Sequence, residues 1–321
     1  TASNNVAVGA EAGAAITTGS KNTLIGKEAG EAATTAANLV AVGYQALEAN
    51  TTGGSNTALG YNAGKTLTTG SANTFLGFEA GIDQTTASSN TLIGYRAGYR
   101  ITTAHTNVII GQSAATNTTT ASECVFIGNN VAAAHTTGNQ NIAIGDNCMA
   151  GGTVTGALNT VIGDNAGYAF TSGDGNTMLG AAAGDAVTTG DNNTALGAYA
   201  LTTMDTVSAI TAVGYSAGYA HTTGTASVYV GAYTGDAFTT GSGNTIVGDA
   251  AGGAATTGSY NTAVGHQAYG AAAATGSNNT MLGYQAGYDA TTCANNVLVG
   301  TSAGANITTG GTNVGMGGNA L

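Results

Sequence analysis

Few side chains in this sequence are able to do chemistry, and their spacing does not bring them together. The four histidines, His105, His135, His221 and His266, occupy three different positions of a repeating unit and lie at least thirty residues apart. A metal centre needs ligands converging within a few ångströms, so these histidines are expected to be solvated surface residues. Cys124, Cys148 and Cys293 also fall at unlike positions of the unit, which gives no reason to expect a bridge. Acids such as Asp146, Asp164, Asp174, Asp191 and Asp249 sit at turn positions, where Asp is favoured for local hydrogen bonding. They lack the calcium-binding nonapeptide pattern. No Ser, His and Asp recur together at a catalytic spacing. The expectation is a protein that is not an enzyme and uses no cofactor or metal.

The elements that carry these residues are copies of one unit. A glycine recurs from Gly9 to Gly317, nineteen times, at intervals of seventeen residues, or eighteen in two places, and an aliphatic residue precedes it each time. Such a period is the signature of stacked solenoid turns. The residues before the glycine, as in Ser55-Asn56-Thr57-Ala58-Leu59, read as a short strand. A second short strand is expected around the Thr-Thr pairs, such as Thr68-Thr69. The fold expected is all-β: a parallel β-solenoid of about nineteen turns with two short strands per turn, forming one domain over residues 1–321. Both eighteen-residue turns carry their extra residue before the Thr-Gly corner, which marks that corner as exposed.

Strand alternation assigns the two columns one and three residues before the glycine, such as Thr23 with Ile25, to the interior. The column between them is then directed outward: Leu24, Phe75, Leu92, Ile109, Phe126, Val161, Met178, Tyr229, Ile246, Met281 and Leu298, with smaller residues elsewhere. It never carries a charge. An outward apolar stripe of that extent needs a cover, and its variation in size from Ala to Phe suits packing against copies of the same chain. The row of Asn four residues before the glycine, including Asn22, Asn73 and Asn193, is expected to be a ladder of buried amides.

Charged residues are only 7% of the chain, and a net charge of -11 with five Lys and Arg leaves no basic footprint for nucleic acid or an anionic membrane. No apolar run is long enough to span a bilayer. Tyr95 with Tyr99, Tyr215 with Tyr219 and Tyr284 with Tyr288 flank the corner after the glycine, where they are open either to a receptor glycan or to mutual packing.

The element Asn22-Thr23-Leu24-Ile25-Gly26 and its copies resemble the Asn-Ser-Val-Ala-Ile-Gly element of the YadA-like head of trimeric autotransporter adhesins. Asn279-Thr280-Met281-Leu282-Gly283-Tyr284-Gln285-Ala286-Gly287 is similar to the repeats of bacteriophage tail fibres. The resemblance implies a left-handed β-roll, three chains side by side, and attachment to a host or surface from an extracellular or virion location. The alternatives are an ice-binding solenoid using its Thr rows, and a filament that stacks end to end.

Overall fold

A computed structural model describes residues 2–270 and 274–321. The chain divides into two compact units, Thr1–Asn159 and Thr160–Leu321. Each is a parallel β-solenoid. The first contains nine three-residue strands, from β1 (Val6–Val8) to β9 (Ile142–Ile144), and the second ten, from β10 (Thr160–Ile162) to β19 (Val314–Met316). Within each unit consecutive strands pair in parallel and in register, so that Ala58 faces Phe75 and Phe75 faces Leu92. The described residues hold no helix and one strand per turn rather than two. The Thr-Thr segment runs from turn to turn through backbone bonds such as Thr51 N–H to Thr68 O at 2.8 Å. Apart from two isolated bridges it does not form the paired ladder of a strand.

The glycine that anchors each turn is required by its neighbour. Gly60 has a φ of +148°, and a methyl group on it would lie 2.2 Å from the carbonyl oxygen of Gly77 one turn on. Only a residue without a side chain lets the turns approach to strand spacing. Three further positions per turn adopt the left-handed region, among them Ser55, Asn62 and Gly64 in the turn of Gly60. These corners fold seventeen residues into a closed cross-section.

The inward and outward faces of the strand are the reverse of the sequence expectation. Leu24, Phe75, Leu92, Ile109 and Phe126 in the first unit are fully buried, as are Val161, Met178, Tyr229, Ile246, Met281 and Leu298 in the second. The column expected to meet another chain is therefore the core of its own coil. The flanking columns point outward, with Leu59 47% and Leu76 41% exposed. The period-two alternation of the strand is as expected, and its direction is reversed.

The physical reason lies in the packing opposite the strand. Phe75 fits because Gly64 and Gly81 face it, and a methyl group on either would come within 2.7 Å of the ring. Where this second glycine is replaced by Leu47, Met149, Leu201 or Tyr269, all buried, the strand residue of the same turn shrinks to Ala41, Ala143, Ala195 or Ala263. Volume is exchanged across a narrow interior, as close packing demands. Buried alanines such as Ala29, Ala63 and Ala97 fill the corner between.

The Asn row is the scaffold expected of it. The backbone N–H of Asn73 donates to Oδ1 of Asn56 at 2.9 Å, and Asn73 Nδ2 donates across the coil to the Ala87 carbonyl at 2.9 Å. Each amide thus joins one turn to the next and closes its own. The first Thr of a pair also spends its hydroxyl along the stack, as in Thr34 Oγ1 to Thr51 O at 3.0 Å, while the second, such as Thr35 or Thr52, is exposed. One extra residue falls in the corner at 151–153, where Gly151 and Thr153 are exposed. The other expected insertion corner, at 271–273, lies outside the described residues.

Candidate interaction surface

The outward strand face has two columns. Three residues before the glycine stand Thr or β-branched aliphatics, such as Val40, Thr57 and Thr74; one residue before it stand Val42, Leu59 and Leu76. Neither column contains a charged residue in any of the nineteen turns. These side chains are half-exposed or exposed, because the alternation that buries the residue between them leaves them on the opposite face.

Beside this face in the first unit runs an aromatic ladder. Tyr44, Tyr61, Phe78 and Tyr95, each following its glycine, stack with ring centres 5.1–5.3 Å apart and planes within 13° of parallel. The spacing is imposed by the strand register beneath. Lys27 lies 5.7 Å from the Tyr44 ring, and Arg96 lies over both Tyr95 and Tyr99. The faces on which a sugar ring would stack are therefore occupied at Tyr95. Tyr284 is stacked on His266 at 5.6 Å, Tyr288 is half-buried, and Tyr215 meets its neighbours edge-on.

Two of the four histidines overturn the expectation of a surface position. His105 and His266 are exposed, but His135 and His221 are fully buried. Each stands seven residues after a glycine, in a turn whose Asn is missing. Ile210 replaces Asn in the turn of Gly214, and His221 Nε2 takes over the duty of the lost amide, lying 2.8 Å from the Gly224 carbonyl. That nitrogen must donate, so Nδ1 accepts from the Tyr229 hydroxyl at 3.2 Å. Cys124 replaces Asn in the turn of Gly128, its Sγ 3.5 Å from the Gly138 carbonyl, while His135 Nε2 lies 3.1 Å from Asn141 Nδ2. Burial lowers the pKa of both histidines, that of His135 to about 4. Leu39 and Asn50 show the same exchange of apolar and polar residues between the two columns. The signal was present in the sequence as a correlated loss of Asn at one position and gain of a polar residue at the other.

The three cysteines are buried, and burial pushes the Cys124 thiol up to about 11 and the Cys148 thiol to about 12, which keeps them unreactive. Glu28, Glu31 and Glu48 bring carboxylate oxygens within 4.8 Å of one another beside a concavity of about 450 Å³. Lys27 is 2.8 Å from Glu28 and Lys65 is 3.4 Å from Glu48, which satisfies two of the three. Burial and the neighbouring acids raise the pKa of Glu31. No helix among the described residues is long and apolar enough to cross a membrane. No protein-family model matches the chain, and no curated protein matches it.

Proposed function

We propose that the chain is part of a structural attachment fibre, a shaft or head of the kind found in phage tail fibres and bacterial surface adhesins. Its work is rigidity and reach rather than catalysis. In this reading three copies stand side by side as left-handed β-rolls, at an extracellular or virion surface. The observation that carries it is the outward strand face, two columns wide and uncharged in every turn, far more apolar than a lone soluble chain ordinarily leaves bare. The partner surface is this face, residues such as Leu59, Leu76 and Leu196, and not the buried column beside it. Turns repeating at strand spacing present it with the same period to every copy, which suits closed symmetric association.

Sedimentation of the purified chain at micromolar concentration tests the reading. Three times the chain mass is expected, falling to one when Leu59→Asp and Leu76→Asp are combined. A monomeric wild type removes the fibre.

One observation favours the ice-binding alternative: the second Thr of each pair, Thr35, Thr52, Thr69 and Thr103 among them, forms a regular exposed row. Thermal hysteresis in dilute monomeric protein would put that reading first.

A further inference from the structure

Two lysines of the first unit meet different partners. Lys27 Nζ lies 2.8 Å from a carboxylate oxygen of Glu28, which makes an ion pair and nothing more. Lys65 Nζ reaches back to the preceding turn and donates to Oε1 of the Gln45 carboxamide at 2.8 Å. A primary amine is thus held against a carbonyl carbon that bears a leaving group. Because a C=O bond is about 1.23 Å long, Nζ stands within about 4 Å of Gln45 Cδ. That is close to the separation of about 3–3.5 Å at which bound groups react.

The backbone and the neighbouring acids hold this arrangement. Strand register fixes the two turns, with Val42 facing Leu59. The Lys65 carbonyl accepts from the Ala49 N–H at 3.0 Å, and the Gln45 N–H donates to the Lys27 carbonyl at 3.0 Å. Gln45 Nε2 donates to Glu28 Oε2 at 2.6 Å, which decides the end of the carboxamide that carries the oxygen and turns that oxygen to the lysine. On the other side of the amine, Glu48 Oε2 lies 3.4 Å from Lys65 Nζ, is closed off from solvent, and receives no hydrogen bond. A carboxylate oxygen so placed stands where a base is needed. Glu28 and Glu48 bring carboxylate oxygens within 4.8 Å of each other, so a proton taken up beside the amine is near the nitrogen that must receive it.

We propose that Lys65 and Gln45 join in an intramolecular isopeptide bond, formed by the chain itself with Glu48 as the base. Glu48 takes a proton from the Lys65 ammonium, the freed electron pair on Nζ bonds to Gln45 Cδ, and the Cδ–Nε2 bond breaks with its electrons on Nε2. Two protons pass in all from Nζ to Nε2, and one ammonium ion leaves. Atoms and charge balance, nothing is oxidised, and no co-reactant is needed. The bond closes the chain between two residues twenty apart and ties consecutive turns together, constraining the unfolded chain as a disulfide would. It stands independently of the attachment role.

Mass spectrometry of the intact chain and of its tryptic peptides is the test. The chain is expected to be lighter than its sequence by one ammonia, and trypsin to leave Lys65 uncut in a peptide 28–96 that yields no backbone fragments between residues 45 and 65. Gln45→Glu and Lys65→Arg are expected to keep their full sequence mass and the circular dichroism of the wild type. Glu48→Gln should slow the loss of ammonia about a hundredfold in chain sampled after cell-free synthesis. A wild-type chain at full sequence mass overturns the bond, as does ammonia loss that persists in Lys65→Arg. Loss of water in place of ammonia would overturn it by putting Glu48 in the bond. Linkage of Glu48→Gln at the wild-type rate overturns the assignment of the base.

Discussion

The two units share a core and differ in their surfaces. Each is built from the same glycine anchors, Asn ladder and exchange of volume between strand and corner. Residues 1–159 carry all five Lys and Arg against eight acids, six of them Glu, while residues 160–321 carry eight Asp and no cation. In the first unit the charged side chains pair from turn to turn, as Arg96 does with Glu79, and its aromatics stack in parallel capped by Lys27 and Arg96. In the second, Tyr215 meets Tyr199 and Tyr233 at steep angles, while Tyr284 stacks in parallel on His266, and the unit contains no Lys or Arg. A repeat lattice thus fixes what points inward and leaves the surface free to diverge.

Changes to the shared core should cost the two units equally. Gly60→Ala in the first and Gly214→Ala in the second would each set a methyl group within 2.3 Å of the next turn's carbonyl oxygen, at a φ alien to alanine. Each is expected to cost about 4 kcal/mol or more, read by denaturant unfolding. A large difference between them would break the equivalence. The reversal of faces is next in size: Phe75→Ala should cost about 3–5 kcal/mol through the cavity it leaves, and neighbouring Leu76→Ala less than about 1 kcal/mol in the isolated chain. Similar values for the two would restore the outward reading of Phe75.

The buried histidines give a third, smaller effect, with one in each unit. Because the folded pKa of His135 lies near 4 and the unfolded value near 6.5, the unfolded chain binds the proton first as pH falls. Stability is therefore complete above about pH 6.5 and declines toward pH 4, by about 3 kcal/mol for this group. His221 shifts in the same direction. Hydrogen exchange at pH 7 and pH 4.5 should show loosening in both units, and His135→Asn should remove it from the first alone. Smallest is the surface pairing: Arg96→Gln is expected to change stability by less than about 1 kcal/mol, because the Arg96 side chain keeps 42% of its surface in solvent even though Glu79 keeps only 13%. A larger loss would mean that the charged ladder, and not only the core, distinguishes the first unit.

The sequence by itself determined the solenoid, its period, the strand beside each glycine and the Asn ladder, because each recurs at one lattice position and a periodic chain can satisfy it only by stacking. It also held the parity of the strand. An amide buried four residues before the glycine places the residue two before it on the same inner face, so Asn73 and Phe75 must point together. What only the tertiary structure decided is which residues share the narrow interior at long range: that Phe75 needs Gly64 and Gly81, that Leu47 needs Ala41, and that His221 answers for Ile210. These contacts join residues one or more corners apart, and their direction depends on left-handed backbone angles at Ser55, Asn62 and their equivalents, which residue types alone do not specify.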